Sequence, residues 1–99
     1  MIKVMSPSAL EEQTKERALV VFSAPAWCAP CRALKPHVEA LSNEVDYPVV
    51  DVDIDEAEAI RVMYDVMSVP RIYEFVNGEP VRELKGRTIL ALRTELAAE

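Results

Sequence analysis

The fold is decided by one stretch, Ala18-Leu19-Val20-Val21-Phe22-Ser23-Ala24-Pro25-Ala26-Trp27-Cys28-Ala29-Pro30-Cys31. Its first five residues are continuously apolar β-formers, as expected of a parallel strand covered on both faces. A helical pattern follows from Arg32 to Glu44, so both cysteines of the chain lie where a strand hands over to a helix. At such a junction the first sulfur meets unpaired amide N–H groups and the positive end of the helix dipole. That setting lowers thiol pKa values from about 8.5 to roughly 3.5–7.5, and the thiolate is the reactive form. Two intervening residues put the second sulfur one helical turn on, within reach of an intramolecular disulfide. The stretch reads as a thiol–disulfide exchange site, with the first sulfur expected to be the better exposed.

Working outward, Ile2 to Met5 is a short candidate edge strand, and Ser6-Pro7-Ser8 offers a turn. Ser8 as N-cap with Glu11 three residues on makes a capping box, predicting a helix from Ala9 to Arg17. Pro30 suits a first helical turn, whereas Pro36 inside the second helix should kink it. Asn43 to Tyr47 is its exit loop. Val50, Val52 and Ile54 alternate with Asp51, Asp53 and Asp55, a period-2 strand over Pro48 to Asp55. Ala59, Ile60, Met63, Tyr64 and Met67 have helical spacing within Glu56 to Met67, and Met63, Tyr64 and Met67 read as core packing. Arg71–Val76 and Val81–Lys85 are two strands joined by Asn77-Gly78-Glu79-Pro80. Thr88 to Ala98 is a closing helix. The order βαβαβαββα predicts an α/β domain over residues 1–99, a central mixed β-sheet with helices on both faces.

Composition narrows the function. Ninety-nine residues suffice for one core but not two. The longest apolar run is far short of the ~18 residues of a membrane span, and charged residues from Lys3 onward interrupt any signal-peptide pattern. Seventeen acidic against eleven basic residues give a net charge of −6, which argues against nucleic acid or anionic membrane as partner. Two cysteines three apart cannot staple distant parts of a secreted fold, which points to a reducing cytoplasm. A structural zinc normally needs four ligands; His37 is the only further soft one, so only a dimer contributing two cysteine pairs completes such a site. No metal or bound cofactor is expected, and His37 reads as a surface or boundary residue.

Trp27-Cys28-Ala29-Pro30-Cys31 resembles the active-site motif of the thioredoxin family, with Ala29 where Gly is usual. Pro36 falls where the family kinks its helix, Ser68-Val69-Pro70 resembles the segment before its cis-proline, and Gly78 and Gly86 match its two late glycines. The resemblance covers nearly the whole chain. It implies the thioredoxin-like fold and a protein-disulfide reductase in which Cys28 is the nucleophile and Cys31 the resolving thiol. It also implies a redox-active Cys28–Cys31 disulfide, a docking surface of Trp27, Pro30, Val69 and Pro70, and a monomer fed by a flavin-dependent reductase. Pro30 after a small residue resembles reducing members, whose potentials lie nearer to roughly −270 mV than to about −180 mV. A glutaredoxin-like electron donor suits the short chain, but Trp27 and the lack of a Gly-Gly pair speak against it. A thioredoxin-like binding subunit with no redox requirement is the alternative outside enzymes.

Two departures stand out. Arg71 follows Pro70 where the family usually has Thr; it is either solvated or faces the cysteines, where it would favour acidic partners. Val21 occupies the place of the family's buried aspartate, while Asp51 stands on the next strand where a lysine is usual. Asp51 is therefore either a solvated strand residue or a replacement proton acceptor for Cys31.

Overall fold

A computed structural model describes residues 1–98. Five strands, β1 (Ile2–Lys3), β2 (Arg17–Ser23), β3 (Val49–Asp53), β4 (Arg71–Val76) and β5 (Glu79–Leu84), lie in the order β1-β3-β2-β4-β5. β1, β3 and β2 are mutually parallel, and β4 and β5 continue the sheet antiparallel. Helices α1 (Pro7–Gln13), α2 (Ala29–Ser42), α3 (Glu58–Met63) and α4 (Ile89–Ala97) complete the expected order.

Alternation along β2 divides the core. Val20 and Phe22 join Leu10, Ile60 and Phe75 on one side of the sheet; Leu19 and Val21 join Leu34, Val38, Leu41 and Leu92 of α2 and α4 on the other. A strand buried on both faces has no room for polar alternation, hence the unbroken apolar run.

Several boundaries differ from the sequence reading. α1 starts earlier, capped by Ser6, whose Oγ accepts from Ala9 N at 3.2 Å; Ser8 is not the cap. Pro7 takes the first helical position, where its fixed φ is pre-organised and its missing N–H costs nothing. α1 also ends at Gln13, and Arg17 already belongs to β2. β5 begins at Glu79, so Pro80 lies inside the strand. The hairpin loop is just Asn77 and Gly78, both with positive φ, as a type I′ turn requires. Pro80 is tolerated because β5 is an edge strand and the register shifts at Glu74/Phe75. Met63 and Met67 are not core: they are 59% and 81% exposed. α3 stops at Met63, and Asp65 enters the left-handed region at φ 51°, so Met67 leaves the helical face that its spacing gives it in sequence.

α4 is tied to the rest by two devices. His37 Nδ1 on α2 accepts from Ile89 N at 3.1 Å, a tertiary cap on the first turn of α4. The Glu95 carboxylate accepts from Lys85 N at 2.7 Å and Gly86 N at 2.5 Å, closing the β5–α4 turn onto the helix. A Cβ at Gly86 would lie 2.7 Å from Glu95 Oε1, 2.9 Å from Ala91 Cβ and 3.0 Å from the Ala91 carbonyl carbon. Glu95 can swing aside, but the Ala91 backbone cannot. Gly86→Ala is therefore expected to destabilise by about 1–3 kcal/mol, the usual cost of overpacking. A denaturant midpoint equal to that of the parent would show that α4 is free to shift.

Candidate active site

Cys28 is the N-cap of α2 and Cys31 lies in its first turn. Ala24 and Pro25 end the strand run, and Cys28 N donates to Ala24 O at 2.9 Å, folding the linker into a tight turn. The two cysteines are joined as a disulfide with Cα atoms 5.2 Å apart. Cys31 N donates to Cys28 Sγ at 3.2 Å, the position of a side-chain cap. In the reduced protein this amide would stabilise charge on Cys28 rather than on Cys31. The expected difference in exposure is absent: the two residues are 5% and 4% exposed. The asymmetry between them lies in their partners, not in their depth.

The Val69–Pro70 peptide is cis, and the Val69 carbonyl oxygen lies 3.9 Å from Cys28 Sγ. Trp27 is 62% exposed, with Nε1 donating to Asp55 Oδ2 at 3.0 Å. Asp55 escaped the sequence reading, where it was one of three alternating aspartates. Pro30 is exposed beside the cysteines. Trp27, Pro30, Val69 and Pro70 are thus all in segments that surround or contact the disulfide.

Arg71 is not directed at the cysteines. Its Nη1 donates to Tyr73 Oη at 3.1 Å and its Nε lies 3.6 Å from Glu83 Oε2, which draws the guanidinium along β4 and β5. The arginine on the proline loop is Arg87, whose Nη2 donates to Pro70 O at 3.1 Å. Only the folding back of the β5–α4 turn brings it there.

Asp51 and Cys31 line one cleft between α2 and the sheet, together with Val21, Ser23 and Lys35. Asp51 sits beside Val21 in the sheet and is half-buried. Burial pushes its carboxyl above the ordinary carboxylate range, opposed by the charges of Lys35 and Lys3. No group of three or more His, Cys, Asp or Glu side chains among the described residues is placed to hold a metal ion.

A disulfide closed across the first turn of a helix, beneath a strand end and against a cis-proline loop, is the site of a dithiol–disulfide exchanger. The thioredoxin family model matches residues 3–98. Thioredoxin-3 of Dictyostelium discoideum is 40% identical over 99% of this chain and 98% of its own length; thioredoxin-2 of the same organism is 43% identical over 84% and 99%. The Fasciola hepatica thioredoxin structure superposes with a TM-score of 0.84 at 29% identity, covering 98% of this chain and 97% of that one. The chain belongs to the thioredoxin family and is a thiol–disulfide oxidoreductase of the protein-disulfide-reductase type.

Proposed function

We propose that Cys28 opens the reaction and Cys31 closes it. The Cys28 thiolate attacks one sulfur of a substrate disulfide, forming a mixed disulfide and expelling the other sulfur as a thiolate. Cys31 then loses its proton and attacks Cys28 Sγ. This breaks the mixed disulfide, releases the second substrate thiol and leaves Cys28–Cys31 oxidised. Two electrons pass to the substrate. The observation that carries this order is the Cys31 amide on Cys28 Sγ.

Trp27, Pro30, Val69 and Pro70 form the docking surface in this reading, with the half-buried Val69 offering its backbone for strand-like pairing with an extended substrate. Asp51 takes the Cys31 proton. The electron donor is a thioredoxin-reductase-like flavoprotein, and the protein works as a cytoplasmic monomer in electron transport to protein disulfides. The cysteine usage supports this setting. Insulin reduction coupled to a thioredoxin reductase tests the reading, and turnover of the insulin disulfides is the expected result. Reduction by glutathione alone would instead make the protein glutaredoxin-like. Full biological function in a Cys28→Ser, Cys31→Ser double variant would make it a binding subunit.

A further inference from the structure

The chain carries a net charge of −6, yet among the described residues three of the four cations outside direct ion pairs lie on segments next to the disulfide. Among the described residues, seven of the eleven lysines and arginines form ion pairs with a carboxylate: Lys3, Lys15, Arg17, Arg71, Arg82, Lys85 and Arg93. Of the four that do not, Arg61 sits in the last turn of α3. The other three surround the disulfide. Arg32 directly follows Cys31, and its Nη1 donates to Pro25 O at 2.7 Å. Lys35 lines the cleft shared with Cys31. Arg87 is held by Pro70 O at 3.1 Å, Gly86 O at 2.8 Å and Leu84 O at 3.2 Å.

Arg87 is the best placed of the three to meet a substrate. Its anchor is the carbonyl next to Val69 O, which itself lies 3.9 Å from Cys28 Sγ. Three carbonyls fix the guanidinium without neutralising it, so its full charge remains on an exposed side chain. A guanidinium also has five N–H donors in a planar fork, and three are spoken for by these carbonyls, which leaves two for a carboxylate. Asp55, by contrast, is a carboxylate already bonded to Trp27.

Resting on the disulfide-reductase reading, we propose that Arg87 is a specificity-determining residue. It selects extended protein segments that carry an acidic side chain beside the disulfide cysteine, on the side that lies along Val69–Pro70. Arg32 adds to the local positive potential. A basic segment docked in the same register meets like charge at Arg87 and is disfavoured.

The test uses two synthetic peptides that share one disulfide, one flanked by Glu and Asp and the other by Gln and Asn at the same positions. The ratio of their kcat/KM values is measured for the parent and for Arg87→Gln, Arg87→Lys and Arg87→Glu. Arg87→Gln keeps donors for the Pro70 carbonyl but removes charge, which separates recognition from support of the loop. The parent is expected to prefer the acidic peptide by about threefold to fivefold at low salt, the scale of an exposed ion pair. The preference should shrink toward unity near 1 M salt, where the screening length falls to about 3 Å. Arg87→Lys should retain most of it, Arg87→Gln should lose it, and Arg87→Glu should reverse it. Arg93→Gln changes net charge equally, but its partner Glu44 lies past the far end of α2, about 20 Å from the cysteines. The ratio should survive that change. Equal ratios in the parent and Arg87→Gln overturn the proposal and leave the reductase reading standing. Reduction of neither peptide overturns both.

Discussion

A Cys31→Ser variant should lose steady-state reductase activity by at least about 10³-fold while still attacking substrate disulfides. The loss is large because resolution is intramolecular, and well-oriented neighbouring groups reach effective molarities of about 10⁵ M or more. An external thiol at millimolar concentration cannot replace that. The variant should therefore stop at the mixed disulfide and appear on non-reducing gels covalently joined to its targets. Cys28→Ser should lose activity equally but form no such adducts. The Cys31 amide donates to Cys28 Sγ, whereas Cys31 Sγ lies against the cleft with Val21 and Lys35. Rapid alkylation is thus expected of the Cys31→Ser protein and slow alkylation of the Cys28→Ser protein. The reverse labelling order, with adducts accumulating only in Cys28→Ser, would exchange the two roles.

Much of this site was legible because its determinants are local. An apolar run ending in Ala24-Pro25, followed by two cysteines one turn apart, specifies a strand, a tight turn and a helix start without reference to distant residues. The type I′ hairpin at Asn77-Gly78 was legible for the same reason, although the strands run closer to it than the proline suggested. What escaped depends on tertiary placement. Asp55 pairs with Trp27 across 28 positions of sequence, and its alternation with Asp51 and Asp53 conceals the difference among them. Arg87 reaches Pro70 across 17 positions, through a turn closed by Glu95 on Gly86. Met67 keeps a helical period beyond the end of α3 because periodicity does not register a single left-handed residue, Asp65.

Asp51→Asn should slow resolution of the mixed disulfide and, at the same time, make the folded protein more stable at neutral pH. The first effect follows from the shared cleft. Cys31 must give up a proton before it attacks Cys28, and Asp51 is the carboxylate that lines the cleft with it. Removing a general base of this kind costs typically 10²–10⁴-fold, and partial access of solvent to the cleft sets the expectation at about 10²-fold. Attack by Cys28 should change much less. The second effect follows from burial, which raises the Asp51 carboxyl pKa in the folded chain against the opposing charges of Lys35 and Lys3. A raised carboxyl pKa means that the native state holds more protons than the unfolded chain once pH passes the ordinary value of about 4. Stability contributed by the protonated carboxyl is therefore lost as pH rises through the folded-state value, and above it the ionised Asp51 remains a cost. Asparagine fills the same space without that charge, so the gain should be present at pH 7 and vanish near pH 3. Urea unfolding at the two pH values measures this gain, and stopped-flow decay of a preformed mixed disulfide measures the rate. Parent-like resolution with an unchanged pH profile would remove Asp51 from the proton path and leave water to take the proton. A loss of stability at pH 7 would mean that attraction from Lys35 and Lys3 outweighs desolvation, placing the carboxyl below the ordinary range. A base so depressed would be a poor match for a thiol proton, so the two halves of this prediction stand on the same electrostatic balance.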